Sequence, residues 1–131
     1  MTALATLLAL AAAAAPAPVT LTVRYNAGSG RDHVAHLRCR RDSAHADGFL
    51  RTTGAHADCR RARKIASFLA SQPSSKRICS QIYGGPQRAR ITGTIGARRI
   101  DRRFKRTNGC EIGDWQNAVP LVPRVRAGVT P

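Results

Sequence analysis

The sequence predicts an α+β domain in which one or two helices pack on an antiparallel β-sheet of about five strands. Three observations support this prediction: segments that alternate apolar and polar residues, one segment with apolar residues at helical spacing, and four cysteines, an even number. At 131 residues the chain has room for one domain and little more. We therefore expect a single domain with a modest hydrophobic core.

Four segments alternate apolar and polar residues in the manner of half-buried β-strands. Residues 19–25 are rich in β-branched side chains, and a turn at 26–30 separates them from His33–Cys39. We therefore predict two antiparallel neighbours in the sheet. Arg88–Ile95 and Arg98–Phe104 are predicted as two further short strands, the second with a strongly cationic face.

One helix and several turns are predicted between and after these strands. Residues 58–71 carry apolar side chains at helical spacing with Arg and Lys on the other face, which predicts an amphipathic helix that ends before Pro73. The polar stretch 40–53 contains Asp and Gly and is predicted to be a loop. The dipeptide Asn108-Gly109 predicts a turn.

The first 15 residues form an apolar run, rich in Leu and Ala, that has the pattern of a secretory signal peptide. The run is too short for a good transmembrane helix, which needs about 20 apolar residues. We predict a signal peptide at 1–15, the folded domain at 16–120 and a flexible tail at 121–131. The protein is then secreted and extracellular, with no membrane span. The alternative for the first segment is an Ala-rich helix of a cytosolic protein.

The cysteines lie at positions 39, 59, 79 and 110. An even number in an exported chain predicts two disulfides, and the sequence alone allows three pairings. Pairing in chain order closes short loops, each worth roughly 3 kcal/mol. No two cysteines have the spacing of a zinc ligand pair, so we expect no metal and no cofactor.

The net charge of +15 comes from 19 Arg and 3 Lys against 7 acidic residues. Such a charge attracts anionic surfaces, including nucleic acid, membranes and acidic proteins. The excess of Arg over Lys is also what a coding bias towards G and C produces. We therefore expect incidental adhesion to polyanions and no specific nucleic-acid partner.

Catalytic motifs are missing from the sequence. Neither a G-x-S-x-G nucleophile motif nor an H-E-x-x-H metal motif occurs. His33 and His36 lie three residues apart on a predicted strand and therefore face opposite sides. His45 and His56 fall in predicted loops, where solvated polar side chains are the ordinary case. We therefore expect a protein that is not an enzyme.

The most specific segment runs from Cys79 to Tyr83. Between these residues it offers a small residue, Ser80, a flexible polar residue, Gln81, and a β-branched residue, Ile82. A disulfide at one edge of such a loop would hold the peptide rigidly in an extended shape. A peptide held rigidly in this way can be bound by a protease without being cleaved efficiently. The alternative is a structural disulfide loop with no function of its own.

Together with its surroundings, this segment resembles the Streptomyces subtilisin inhibitor family. The first strand, the order of the four cysteines and the helix between the second and third cysteines are similar to those of that family. Tyr83 lies four residues after the third cysteine, as in the family's reactive loop, and residues 93–110 are similar to its closing hairpin. The resemblance spans roughly residues 19–111.

The resemblance implies a disulfide pairing and a reactive bond. The cysteines would pair as Cys39–Cys59 and Cys79–Cys110. The reactive bond would join Gln81 to Ile82. Gln81 would then enter the primary specificity pocket of a serine endopeptidase.

The remaining loop contacts also follow from the resemblance. Ile78, Cys79 and Ser80 would line the non-primed side of the reactive bond, and Ile82 and Tyr83 the primed side. Because Gln suits neither electrostatic capture nor a deep apolar pocket, a tolerant subtilisin-type pocket is favoured, with trypsin-like enzymes as a second class of target. The family forms homodimers through its sheet, so a homodimer is implied as well.

The chain departs from the family's pattern directly after Tyr83. Gly84-Gly85-Pro86 adds one residue to the family's pattern, and we expect the extra glycine to loosen the loop after Tyr83. The competing hypothesis is a secreted, Arg-rich cationic protein that binds nucleic acid, anionic lipid or a cell-wall polymer.

Overall fold

A computed structural model describes residues 15–126, which form one antiparallel sheet with helices packed on one of its faces. The strands lie in the order β3-β2-β1-β4-β5. They are β1 Val19–Asn26, β2 His33–Cys39, β3 Ala44–Ala46, β4 Arg88–Ile95 and β5 Arg98–Phe104. The predicted fold class is confirmed.

Two predicted segments lie partly outside residues 15–126. Of the predicted signal peptide at 1–15, only Ala15 belongs to the described residues, and the last five residues of the predicted tail also lie outside them. Within residues 15–126, none of the helices has the length and apolar character needed to cross a membrane.

The sheet is organised around β1, which pairs with β2 on one side and β4 on the other. Its alternating pattern turns Val19, Leu21 and Val23 inward, where each is at most 1% exposed. All four strands expected from the sequence are present. The additional strand β3 lies in the stretch 40–53 that was predicted to be a loop, because three residues are too few to show an alternating pattern.

Four helical segments cover the inner face of the sheet in the described part of the chain. They are a 3₁₀ helix Gly48–Thr52, α1 Ala55–Lys64, α2 Ala66–Ala70 and α3 Gly109–Ala118. The single helix predicted at 58–71 is two helices, because the backbone leaves helical geometry at Ile65, with φ −103° and ψ 17°.

Helix α3 replaces the turn predicted at Asn108-Gly109, and that prediction was wrong. Asn108 is the N-cap of α3, and its side chain accepts a hydrogen bond from the backbone N–H of Glu111 at 3.0 Å. An Asn followed three residues later by Glu is a helix-start signal as well as part of a turn signal. The helix-start interpretation was the correct one.

The chain after α3 completes the core. Trp115 of α3 is fully buried, and its indole N–H donates to the carbonyl oxygen of Pro123 at 2.8 Å. Leu121 and Val122 are both 0% exposed. Leu121 and Val122, the first two residues of the predicted tail, therefore belong to the core, because burial of these apolar side chains favours their ordered packing.

Both disulfides are present with the pairing that the family resemblance implied. Cys39–Cys59 joins β2 to α1 inside the core, where the two residues are 1% and 2% exposed. Cys79–Cys110 joins the segment after α2 to the first turn of α3. The first disulfide fixes a helix to the sheet, and the second fixes a surface segment to a helix.

Asp58 of α1 has a buried side-chain carboxylate. It is 0% exposed, and one of its oxygens accepts a hydrogen bond from the hydroxyl of Thr53. The other oxygen has no hydrogen-bond partner among the described residues. Burial therefore raises the pKa of Asp58 above its ordinary value. The folded protein binds this proton more tightly than the unfolded chain does, so the ionised group lowers stability at neutral pH.

We predict that Asp58→Asn raises the free energy of unfolding at pH 7 by about 1 kcal/mol, the scale of a buried polar group's contribution. The advantage over the parent protein should shrink as the pH falls through the raised pKa, and vanish below the ordinary pKa of Asp, where both chains are neutral at this position. Thermal unfolding of both proteins across this pH range measures the difference. An Asn variant that is less stable by the same amount at every pH would contradict the prediction.

Candidate functional site

The segment between α2 and β4, residues 71–87, contains neither a helix nor a strand. We call it the exposed loop. It carries the three large apolar residues that stand exposed in the described part of the chain: Ile78 at 100%, Ile82 at 64% and Tyr83 at 64%. Three large apolar side chains exposed within six consecutive residues make this loop the candidate surface for binding a partner.

The exposed loop is fixed on one side by α3. The Cys79–Cys110 disulfide anchors it covalently, and the backbone N–H of Gly109 donates to the carbonyl oxygen of Ser80 at 3.0 Å. Gly109 permits this contact, because a Cβ at that position would collide with the side-chain oxygen of Ser80. Cys79 and Ser80 therefore have fixed positions relative to the start of α3.

A second anchor lies four residues further along, at Gly84. The N–H of Gly84 donates to the carbonyl oxygen of Arg106 at 2.7 Å, and Nε of Arg106 donates back to the carbonyl oxygen of Gly84 at 3.2 Å. Arg106 is 4% exposed, and its guanidinium lies 5.6 Å from the centre of the Trp115 ring. Burial lowers the pKa of Arg106, but an arginine keeps its charge at neutral pH.

The expectation that the extra glycine loosens the loop after Tyr83 does not fit this geometry at Gly84. A Cβ on Gly84 would lie 2.7 Å from Cγ1 of Ile112, so this residue packs directly against α3. The absence of a side chain is what allows the two backbone contacts with Arg106. Gly84 is an attachment point of the loop.

A third contact supports the base of the exposed loop. Arg77 donates two hydrogen bonds to the carboxylate of Asp114, at 3.1 and 2.9 Å. These hydrogen bonds raise the pKa of Arg77. Asp114 also lies 3.3 Å from Nη2 of the buried Arg102 on β5. The ion pair is therefore shared between the loop, α3 and the sheet.

The residues between the two anchors, Gln81, Ile82 and Tyr83, have a different environment. All three are exposed, and none takes part in a hydrogen bond with another described residue. The three-residue segment is attached at both ends and has no intramolecular hydrogen bonds in its middle. Its backbone N–H and C=O groups are free to pair with a partner's backbone.

The six loop residues selected from the sequence, Ile78 to Tyr83, are consecutive on the exposed loop. The sequence interpretation missed the residues that hold them, chiefly Arg106, Gly109 and Asp114. A partial signal was present, since the capping pattern beginning at Asn108 places a helix start beside Cys110. Nothing in the sequence indicated that Arg106 contacts a residue 22 positions earlier in the chain.

The histidines do not form a site in the described residues. The backbone N–H of His36 on β2 donates to the carboxylate of Asp47 at 2.7 Å, and this hydrogen bond is the main reason why the pKa of Asp47 is lowered. Nδ1 of His36 also lies 3.1 Å from the same carboxylate. His33 lies 6.3 Å from the ring of Tyr25. Among residues 15–126, no group of three or more His, Cys, Asp or Glu side chains is placed to hold a metal ion.

We predict that Gly84→Ala weakens the second anchor, because the new Cβ meets Ile112 at 2.7 Å and the carbonyl oxygen of Arg106 at 3.1 Å. Hydrogen exchange of the amide at position 84 should accelerate about 10-fold, which corresponds to roughly 1.4 kcal/mol of local opening. Gly113→Ala on α3 is the matched control, since a Cβ there meets no atom within 4 Å. Unchanged exchange in the Gly84 variant would show that this glycine does not anchor the loop.

Comparison with known proteins gives one structural similarity. No protein-family model matches the chain, and no curated protein matches it. The fold is similar to the crystal structure of Streptomyces caespitosus sermetstatin in complex with Bacillus licheniformis subtilisin, with 20% sequence identity and a TM-score of 0.44. The match covers 83% of this chain and 99% of the matched chain. These values do not assign the chain to a family, so its function must be inferred from its own residues.

Proposed function

We propose that this chain is a secreted protein inhibitor of serine endopeptidases of the subtilisin type, and not an enzyme. It acts through the exposed loop, with Gln81–Ile82 as the reactive bond. The observation that carries this proposal is an exposed three-residue segment attached at both ends, by Cys79 and Ser80 on one side and by Gly84 on the other. The sequence resemblance to the Streptomyces subtilisin inhibitor family supports the same loop and the same bond.

The two anchors reduce the cost of binding a protease. A flexible substrate must order its backbone and side chains when it enters an active site, and each ordered side chain costs about 0.5–1.5 kcal/mol. The ends of the 81–83 segment are already held before a protease arrives. Interfaces of the size that protease inhibitors use can therefore reach high affinity.

The same anchors explain why cleavage would not release the loop. Hydrolysis of the Gln81–Ile82 bond creates a new carboxyl end one residue after Ser80 and a new amino end two residues before Gly84. Both ends stay attached to α3 and Arg106, so they remain close at a high effective concentration and can be rejoined. The catalytic serine and the oxyanion hole belong to the protease, and this chain supplies the fixed peptide.

The loop side chains favour a protease with an apolar substrate groove. Ile78, which is fully exposed, extends the non-primed side, and Ile82 and Tyr83 extend the primed side. Gln81 is polar and uncharged, so it lacks the positive charge that a trypsin-type pocket selects. These residues favour a broad subtilisin-type cleft over a trypsin-type pocket.

Secretion is part of the proposal. Two disulfides persist in oxidising compartments and are rare in reducing ones. The apolar run at 1–15 has the pattern of an export signal. Extracellular endopeptidases share that environment.

We predict that Gln81→Pro raises the inhibition constant for subtilisin about 100-fold, the scale of a central interface residue. Pro removes the N–H at the reactive position and fixes its φ angle, so the backbone can no longer pair with the protease as a substrate does. Gln81→Met is the control, because it keeps an unbranched side chain and the N–H; its inhibition constant should stay within about 10-fold of the parent value. If the Pro variant inhibits as strongly as the parent protein, position 81 does not lie at the reactive bond.

We predict that Cys79→Ala/Cys110→Ala converts the inhibitor into a substrate. Without the disulfide, the new carboxyl end drifts away after cleavage, so subtilisin should cut the Gln81–Ile82 bond progressively and regain activity. Mass spectrometry of the products over time locates the bond and measures its loss.

Cys39→Ala/Cys59→Ala is the matched control for this experiment. Each double variant loses one disulfide, worth roughly 3 kcal/mol, but the control leaves the exposed loop attached. Both are assayed at a temperature where circular dichroism shows a folded protein. Equal rates of cleavage in the two variants would mean that lost stability, and not the loss of the loop anchor, causes the cutting.

A further inference from the structure

The face of the sheet that points away from the helices is covered with charged and hydroxyl side chains. The alternation that turns Val23 and Ile91 inward turns Arg24 and Arg90 outward on neighbouring strands. We call this the outer face of the sheet. Its residues on β1, β4 and β5 are Thr20, Thr22, Arg24, Arg88, Arg90, Thr92, Thr94, Arg99, Asp101 and Arg103.

Five cations gather at one end of the outer face, and we call them the cationic block: Arg24, Arg88, Arg90, Arg103 and Lys105. Arg24 lies directly opposite Arg90, and Arg90 lies directly opposite Arg103. The block lines a shallow depression of about 350 Å³ together with Asn26 and Asp32. The cations therefore surround one open volume.

Acidic residues offset part of this charge: Asp32 lines the same depression, Asp101 pairs with Arg90, and Glu111 lines an adjoining depression with Lys105. The five cations still outnumber them. Asp101 accepts two hydrogen bonds from Arg90, at 2.8 and 2.9 Å, and Asp32 accepts one from Asn26 at 2.9 Å. The other four cations of the block have no acidic side chain within 4 Å among the described residues. Like charges directly opposite each other destabilise a sheet. An anion bound over the block would offset that cost.

We propose that the cationic block binds the sugar–phosphate backbone of double-stranded nucleic acid without sequence preference. The forked guanidinium of arginine matches the geometry of phosphate oxygens, and four of the five cations are arginines. Threonine hydroxyls in the adjoining rows add neutral donors of the kind that contact phosphates. The block adjoins the base of the exposed loop, where Arg90, Arg103 and Lys105 line a second depression with Gln72, Pro73 and Arg77. It does not include residues 81–83, so the inference goes beyond inhibition.

The dimensions of the block suit a duplex backbone. It spans three neighbouring strands, which is about 10 Å across at about 4.8 Å per strand. Duplex DNA carries one phosphate per about 3.4 Å of each strand, so about three phosphates fit along this width. The outer positions of the described strands carry no Phe, Tyr or Trp, which are the residues that stack single-stranded bases. Duplex is therefore favoured over single-stranded nucleic acid.

Two other occupants fit the outer face less well. A second copy of this chain would bring an identical excess of positive charge against the block, and like charges across an interface cost several kcal/mol. The homodimer through the sheet that the family resemblance implied is therefore disfavoured at this face. A lipid membrane is bound strongly when apolar side chains enter it, and none of the large apolar residues that stand exposed lies on the outer face.

The test is binding of the full chain to a fluorescent 20-base-pair duplex, measured by anisotropy over a range of salt concentrations. The block variant is Arg24→Gln/Arg88→Gln/Arg103→Gln/Lys105→Gln, which keeps the Arg90–Asp101 pair. We expect the block variant to lose at least about 10-fold in affinity at 0.1 M salt. We also expect the slope of log affinity against log salt to fall by about 2.7, since about three phosphates fit along the block and each lost phosphate contact removes about 0.9.

The matched control is Arg40→Gln/Arg41→Gln/Arg60→Gln/Lys64→Gln. It removes the same charge from four equally exposed residues near the first disulfide. We expect less than about 3-fold loss of affinity for the control, with a nearly unchanged salt slope. Both variants should keep the thermal stability and subtilisin inhibition of the parent, which separates this test from that of the exposed loop.

Three results would overturn the proposal. Equal losses in the block variant and the control would show that net charge alone drives binding. Tighter binding of the parent to a single-stranded oligonucleotide, or to vesicles of phosphatidylglycerol, than to the duplex would assign the surface to that ligand. A parent protein that is dimeric in solution, and becomes monomeric in the block variant, would assign it to self-association.

Discussion

The ion pair between the buried Arg102 and Asp114 joins the sheet, α2 and α3 beneath the base of the exposed loop. Arg102 occupies an inward position on β5 and is only 2% exposed. It donates to the carbonyl oxygens of Phe68 and Ser71 at the end of α2, and it faces Asp114 of α3. Burial lowers the pKa of Arg102, yet the group stays charged at neutral pH. Removing Asp114 would leave this buried charge without its acidic partner, with only uncharged oxygens of Phe68 and Ser71 as acceptors. Loss of one partner of a buried ion pair is strongly destabilising.

That ion pair and the loop anchors meet in a short part of the chain. Residues 106–114 supply the carbonyl of Arg106, the N–H of Gly109, the sulfur of Cys110 and the carboxylate of Asp114. Gly109, Cys110 and Asp114 belong to α3, whose start is capped by Asn108, and Arg106 is held two residues earlier by its own burial. The geometry of the loop is therefore set by the helix beneath it.

Much of the fold could be predicted from residue patterns because those patterns act locally. Alternation identified four strands, and an even number of cysteines indicated two disulfides, although the pairing came from the family resemblance. Two of the predictions that were wrong concern features that local patterns do not determine. The apolar pattern of residues 58–71 continues through the break at Ile65, and the burial of Leu121 and Val122 depends on packing against distant residues, so local periodicity could predict neither feature. For the site, the loop residues could be selected from the sequence, whereas the contact between Gly84 and Arg106 spans 22 residues and leaves no local signal.

The side chains of Gln81, Ile82 and Tyr83 are exposed, and this affects which substitutions the chain tolerates during evolution. None of the three side chains belongs to the core, and none takes part in a hydrogen bond with another described residue. Surface substitutions with no such contacts usually change stability by less than about 0.5 kcal/mol. Substitutions at these three positions should therefore change the stability of the fold very little. Under the proposed function, exchange of these three residues could change which protease is bound while the core and both disulfides stay the same.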